Sequence, residues 1–205
     1  MIKNQSHKIT LLILFAMAHI PFPSCANSPS QTMAVTLEYV KGGDLQEEKN
    51  VWVRAAKDAY KDIPLDVLFG TINAERFKTL DGVLEVGFED HPIDLNNPDK
   101  NVFCVVAKNE EVVVGVILFE PTEQKNEVYI RELAVDPAMQ RKGIGRQLMG
   151  AVQTTLPTTK KIVLTTNKAN MSASNFYQKI GFVRCAQIHH GFNPERWIGF
   201  EKEIK

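Results

Sequence analysis

A basic, glycine-containing turn at residues 140–146, Gln-Arg-Lys-Gly-Ile-Gly-Arg, constrains the fold more than any other feature of this chain. It follows an aliphatic stretch that ends at Pro137, and it precedes a segment whose apolar residues recur every fourth position. The pattern predicts a strand, a tight turn and a helix in succession. A helix start carries unpaired backbone N–H groups and the positive end of the helix dipole, and glycine lets an anion approach them. The turn therefore predicts an anion site, and a phosphate ester is the anion that this arrangement favours.

Two well-known phosphate-binding motifs are excluded by residue identity. A P-loop requires Lys-Ser or Lys-Thr after its second glycine, where this chain has Ile144-Gly145-Arg146. A dinucleotide-binding fingerprint requires a third glycine, and counting from Gly143 that position is Leu148. The remaining pattern, Gln-x-x-Gly-x-Gly between a strand and a helix, is moderately specific, and glycines that serve packing alone stay an alternative.

Composition limits the classes of protein that the chain can belong to. Its 205 residues favour one domain, and a hydrophobic content of 44% is enough for a core. The 24 basic and 24 acidic residues balance, so the chain is not expected to bind nucleic acid through general electrostatics. Three cysteines, Cys25, Cys104 and Cys185, have no metal-ligand spacing, and no metal is predicted.

The first 26 residues differ from the rest. Two lysines precede an apolar run at residues 9–20, which is too short for a stable membrane span but fits a signal peptide with cleavage before Asn27. We therefore expect residues 1–26 to be a signal peptide and the protein to be exported or periplasmic. The alternative is translation from Met33, which loses nothing of the domain and implies a cytoplasmic protein. The oligomeric state is left open.

Periodicity predicts a mixed α/β domain without internal repeats. The expected order is one strand, two helices, three strands, a helix, a strand, a helix and two strands. The strands are expected at residues 35–40, 102–107, 112–119, 127–135, 162–166, 182–188 and 197–204, and the helices at 44–60, 63–77, 144–156 and 171–180. Gly115, inside the third strand, indicates a bulge or a close approach of backbone.

A second motif, Asn-Met-Ser-Ala-Ser-Asn-Phe-Tyr-Gln-Lys-Ile-Gly-Phe at residues 170–182, lies one strand downstream of the glycine turn. Together the two motifs resemble those of the GNAT family of N-acetyltransferases, and the resemblance covers residues 34–205. It implies an α/β (α+β) fold with a mixed, mostly antiparallel sheet flanked by helices. Two central parallel strands of that sheet would separate in a V-shaped splay.

The resemblance also implies a reaction and a co-substrate. The activity would be transfer of an acyl group from acetyl-CoA to an amine-bearing acceptor, either a small molecule or a protein. The pyrophosphate would lie on the turn formed by Gln140, Arg141, Lys142, Gly143, Ile144, Gly145 and Arg146. The pantetheine arm would pair with the strand at Leu133, Ala134 and Val135, and Asn170 and Tyr177 would complete the site.

Two residues are candidates for proton transfer. By resemblance, Tyr177 is the general acid that protonates the departing thiolate, and a core aromatic is the alternative interpretation. The attacking amine needs a base, for which Glu132 is the candidate, although a paired or solvated strand charge remains an alternative. Strict alternation gives Glu132 the opposite parity to Tyr129. Thr165, on the next strand, cannot act as a base.

The acceptor side of the site is less constrained by the sequence. Asp58, Asp62 and Asp66 recur every fourth residue, so one helix would bring them to one side, either to attract a cation or as a solvated face. His189 and His190 are candidates to line the acceptor site. A non-catalytic acyl-CoA-binding protein and an exported interaction protein on the same fold remain alternatives to an enzyme.

Overall fold

The computed structural model describes residues 35–40, 46–69, 79–80, 101–188 and 192–205, and in these ranges seven strands form one sheet. The strands are β1 (Thr36–Val40), β2 (Phe103–Asn109), β3 (Val112–Pro121), β4 (Glu127–Val135), β5 (Lys161–Asn167), β6 (Val183–Cys185) and β7 (Trp197–Glu203). The helices are α1 (Gln46–Tyr60), α2 (Leu65–Phe69), α3 (Ile144–Thr155) and α4 (Met171–Lys179), with a 3-10 turn at Pro137–Met139.

The sheet is mixed, with the strand order β1-β2-β3-β4-β5-β7-β6. Only β4 and β5 pair in parallel, and the other neighbouring strands pair antiparallel. The predicted fold class is confirmed, and the predicted strand at residues 127–135 has the same bounds as β4. The strand predicted at 182–188 is shorter, because pairing with β7 covers only Val183–Cys185.

Each face of the sheet carries its own apolar core. The larger core includes side chains from α3, α4 and the sheet, and the smaller one joins Val51 of α1 to β2, β3 and β4. Gly115 of β3 lies beneath α3, where an added Cβ would come within 3.0 Å of Leu148 and 3.1 Å of Ile144. The close approach expected at Gly115 is therefore present, and it lets α3 pack directly on the sheet.

The first two helices correct one expectation from the sequence. Helix α1 ends at Tyr60, and Pro64 separates it from the short helix α2 because proline disfavours a helical preceding residue. Asp58 and Asp66 therefore lie on different helices, and Asp62 lies between them. Asp58 pairs with Lys61 at 3.2 Å, so the three carboxylates do not line one helix face.

Several expectations fall outside the described residues. These are the signal peptide at 1–26, most of the helix expected at 63–77, and His189 and His190. Among the described residues, no helix is long and apolar enough to cross a membrane. Cys104 and Cys185 are both free thiols, the first buried in β2 and the second on β6.

Candidate functional site

Strand β4 has an open edge in its second half. Its parallel pairing with β5 begins at Glu127 opposite Lys161 and ends at Ile130 opposite Leu164, although both strands continue. Beyond that point β4 pairs only with β3, and β5 pairs only with β7. The predicted splay between the two central parallel strands is therefore confirmed, and it exposes one edge of residues 131–135.

The hydrogen bonds between β4 and β3 show which backbone N–H and C=O groups point toward this open edge. The N–H of Asp136 donates to Val114 of β3 at 2.9 Å, so the preceding carbonyl of Val135 points away from β3. Because bonding direction alternates along an antiparallel strand, Leu133 presents its N–H and C=O at the same edge. The Val135 carbonyl accepts a hydrogen bond from Gln140 Nε2 at 3.2 Å. Gln140 thus fastens the glycine turn to the end of β4.

A β-bulge at Arg131 reverses the alternation of side chains along β4. Ile130 lies opposite Phe119, whereas Glu132 lies opposite Leu118, so Arg131 has no partner of its own on β3. Glu132 therefore shares a face with Tyr129, contrary to the parity expected from strict alternation. That face is the one covered by α1, because Leu118 belongs to the smaller core beneath that helix.

Glu132 is held by a residue from α1. Trp52 donates its indole N–H to Glu132 Oε2 at 2.7 Å. Burial raises the pKa of Glu132 to about 7, and the bond from Trp52 and the charge of Arg131 oppose this rise. A carboxylate with a pKa near 7 is well suited to accept a proton near neutral pH.

Tyr177 lies near Glu132, and it approaches from the opposite side of the sheet. Its side chain is 7% exposed, and its ring packs edge-on against Phe182 in the core shared by α3 and α4. Burial and the nearby groups of Glu132, Tyr60 and Tyr129 raise the pKa of its phenol. The phenol therefore stays protonated near neutral pH and can donate a proton.

Asn170 lies between α1 and α4. Its Oδ1 accepts a hydrogen bond from the N–H of Ala173 at 2.9 Å and so caps the start of α4. Its Nδ2 donates to the Tyr60 hydroxyl at 3.4 Å. Both side-chain atoms of Asn170 thus orient protein groups around the splay.

The glycine turn presents backbone donors at the start of α3. Gly143 has a left-handed φ of 87°, and an added Cβ there would meet no atom within 4 Å. The N–H groups of Arg146 and Gln147 both donate to the Gly143 carbonyl. Within the described residues, no acceptor pairs with the N–H groups of residues 141–145. Arg141 and Lys142 are exposed on the same turn, and unpaired N–H donors beside basic side chains are suited to an anion.

Gly145 lies against the second sequence motif. An added Cβ at this position would lie 3.1 Å from the ring of Phe176 on α4. The absent side chain therefore makes room for this packing contact. The two sequence motifs are in direct contact in the folded domain.

Two other glutamates of the sheet, Glu127 and Glu38, are engaged in contacts away from Glu132. Glu127 accepts a hydrogen bond from Thr122 at 2.9 Å and pairs with Lys161 at 3.5 Å. Glu38 of β1 pairs with Lys108 at 2.9 Å. Among the described residues, no group of three or more His, Cys, Asp or Glu side chains is arranged to hold a metal ion.

Three aromatic residues that line the splay were not predicted as site residues: Trp52, Tyr60 and Tyr129. The available signal was the position of Trp52 and Tyr60 on an otherwise apolar helix side, since buried Trp and Tyr usually direct a polar tip to a partner. Tyr129 could not be grouped with Glu132, because a bulge has no sequence signature in a single chain.

The family is established by sequence comparison. The sequence model of the acetyltransferase (GNAT) family matches residues 71–182, which is more than half of the chain. The protein belongs to the GNAT acetyltransferase family, as the two motifs indicated. No curated protein sequence matches the chain.

Solved structures share its fold at low sequence identity. The PaiA N-acetyltransferase from Thermoplasma acidophilum in complex with coenzyme A has a TM-score of 0.57 and 17% identity, covering 82% of this chain and 99% of its own. A GNAT-family acetyltransferase from Staphylococcus aureus has a TM-score of 0.54 and 16% identity, covering 82% and 99%. The ribosomal-protein-S18-alanine N-acetyltransferase from Escherichia coli has a TM-score of 0.54 and 15% identity, covering 83% and 94%.

Proposed function

We propose that the protein is an acetyl-CoA-dependent N-acetyltransferase that transfers the acyl group directly to an amine. The observation that carries this proposal is the convergence of a carboxyl group and a phenol, Glu132 and Tyr177, at the splay. Burial raises the pKa of Glu132 to about 7, which suits a base, and the Tyr177 phenol is protonated at neutral pH, as a proton donor must be. Membership in the GNAT family supports the same reaction.

The described residues fit the proposed co-substrate. The unpaired N–H groups of residues 141–145, the left-handed Gly143 and the basic side chains of Arg141, Lys142 and Arg146 suit a pyrophosphate. The N–H and C=O of Leu133 at the open edge of β4 suit an amide-containing arm added as a strand. The PaiA structure was solved with coenzyme A, which supports this assignment.

Two protein groups have complementary roles in the reaction. Glu132 accepts a proton from the attacking amine, because its pKa near 7 allows it to be ionised yet basic at neutral pH. Tyr177 donates a proton to the departing thiolate, since its phenol is protonated at neutral pH. The amine approaches from the side of the sheet covered by α1, where Glu132 lies.

The reaction is tested by following loss of the thioester in the presence of amines. The panel comprises a polyamine, an aminoglycoside, free amino acids, and peptides with a free amino terminus or a lysine. We expect acceptor-dependent turnover with at least one class. Stoichiometric acetyl-CoA binding without turnover on any acceptor would contradict the enzyme and favour a non-catalytic acyl-CoA-binding protein.

The role of Tyr177 is tested by Tyr177→Phe, with Tyr39→Phe as the matched control. Loss of a general acid should lower kcat by roughly 100-fold or more, while the dissociation constant of acetyl-CoA stays within about two-fold. Tyr39, on the edge strand β1 and 44% exposed, should tolerate the same change without effect on kcat. An unchanged kcat in Tyr177→Phe would remove this residue as the acid.

A further inference from the structure

Trp52 is the residue of α1 that contacts Glu132 directly. Its indole N–H lies 2.7 Å from Oε2, across 80 positions of sequence. The indole is half-buried and packs against the smaller core, beside α1 and β4. A buried indole N–H requires an acceptor, and here that acceptor is the carboxylate proposed as the base.

The hydrogen bond fixes which oxygen of Glu132 remains available. Oε2 accepts from Trp52, and no described residue donates a hydrogen bond to Oε1. A carboxylate on a strand can otherwise rotate about its side-chain torsions. With one oxygen held by a rigid indole, the other has a defined direction, which is the preorganisation that proton transfer needs.

We propose that Trp52 is the positioning residue of the active site: it orients the Glu132 carboxylate at the splay through its indole N–H. This inference rests on the proposed function, in which Glu132 is the base. It adds a residue on α1, outside the two signature motifs, to the machinery of proton transfer. It also implies that α1 must be docked on β4 for the base to be oriented.

The effect of the Trp52–Glu132 hydrogen bond on the pH dependence of activity is set by the charged and titratable groups that face Glu132. Tyr60 faces it from α1, Tyr129 and Arg131 from β4, and Tyr177 from α4. The three phenols are neutral over the working range because burial raises their pKa values, and Arg131 remains charged. Among these described groups, titration between about pH 5 and 8 therefore belongs to Glu132.

Removal of the N–H donor should move the acidic limb of the pH profile of kcat/KM. The bond stabilises the ionised carboxylate, so Trp52→Phe should raise the pKa of Glu132. We expect the limb to shift upward by about one pH unit, with activity approaching the wild-type value at high pH. Trp197→Phe is the matched control, since Trp197 stacks on Phe192 and is expected to leave the profile unchanged.

A second measurement reports the contact without turnover. The chain contains two tryptophans, Trp52 and Trp197, so its spectrum has two indole N–H resonances, which Trp197→Phe assigns. We expect the Trp52 resonance to titrate with a midpoint near the pKa of about 7 of Glu132, and to lose this titration in Glu132→Gln. The readout does not depend on which amine the enzyme accepts.

The outcomes separate this inference from the proposed function. An indole resonance of Trp52 that does not titrate, or a pH limb that stays in place in Trp52→Phe, would overturn the role of Trp52. If Glu132→Gln were inactive in the same experiments, Glu132 would remain the proposed base, but Trp52 would not be the residue that orients it. Full activity of Glu132→Gln would instead contradict the base itself.

Discussion

Glu132 combines a functional advantage with a cost in stability. Its carboxylate is partly buried beside three phenols, and one indole N–H and one guanidinium only partly compensate its charge. The sequence was sufficient to nominate Tyr177, whose position matches the family motif, and Glu132, which lies on the strand expected beside the co-substrate. It was not sufficient to find Trp52, since a contact across 80 positions depends on how α1 docks.

The raised pKa predicts a pH-dependent stability difference between wild type and Glu132→Gln. The folded state holds the proton more tightly than the unfolded state, because the pKa rises from 4.5 to about 7 on folding. Ionisation therefore destabilises the fold progressively as pH rises through this window, and fully above it. Glu132→Gln should melt at a higher temperature than wild type at about pH 8, and this difference should shrink toward about pH 5.

Thermal unfolding at the two pH values measures this effect. Glu123→Gln, an exposed position in the turn after β3, is the matched control and should leave the melting temperature unchanged. If Glu132→Gln were less stable than wild type at about pH 8, the unfavourable burial of the Glu132 charge would be refuted.

At the scale of elements, the site depends on the bulge at Arg131, on the helix break after Tyr60 and on the packing of Gly145 against α4. The strands and helices from β2 onward were predictable, because alternation and fourfold spacing are strong in those segments. The bulge at Arg131 was not, although it decides which face Glu132 occupies. The break after Tyr60 was predictable, but it places Asp58 and Asp66 on separate helices, so their regular spacing does not bring them to one face.

The two glycines of α3, Gly145 and Gly150, should change the stability of the protein in opposite directions when each is replaced by alanine. Gly150→Ala places a methyl group in open space and should stabilise the protein by about 0.5–1 kcal/mol through helix propensity. Gly145→Ala places it 3.1 Å from the Phe176 ring, and overpacking typically costs about 1–3 kcal/mol, so net destabilisation is expected. Urea unfolding of both variants measures the difference, and equal stabilisation of both would refute the packing role of Gly145.

The cap of α4 provides a second test at this scale. Asn170→Ala removes the acceptor for the Ala173 N–H and should lower the free energy of unfolding by about 1 kcal/mol. Asn170→Ser keeps a capping oxygen but loses the donor to Tyr60, so it should restore most of the stability. Equal destabilisation by both substitutions in chemical denaturation would indicate that the Tyr60 contact, rather than the cap, is the stabilising one.

At the scale of the whole molecule, α1 connects the end of β4 to the start of α4. Trp52 and Arg54 reach β4 and the turn that follows it, through Glu132 and through Asp136 at 2.8 Å. Tyr60 reaches the start of α4 through Asn170. Glu132, Asp136 and Asn170 are therefore all tied to the same helix, although they lie in different segments of the chain.

Calorimetric titration of the folded full-length chain with acetyl-CoA tests the central claim most directly. The proposed function predicts saturable binding with one site per chain. Gly143→Val, which forces a β-branched residue to a φ of 87°, should weaken that binding at least tenfold, while Gly150→Ala should not. Absence of acetyl-CoA binding to the folded wild-type chain would contradict both the coenzyme site and the acetyltransferase built on it.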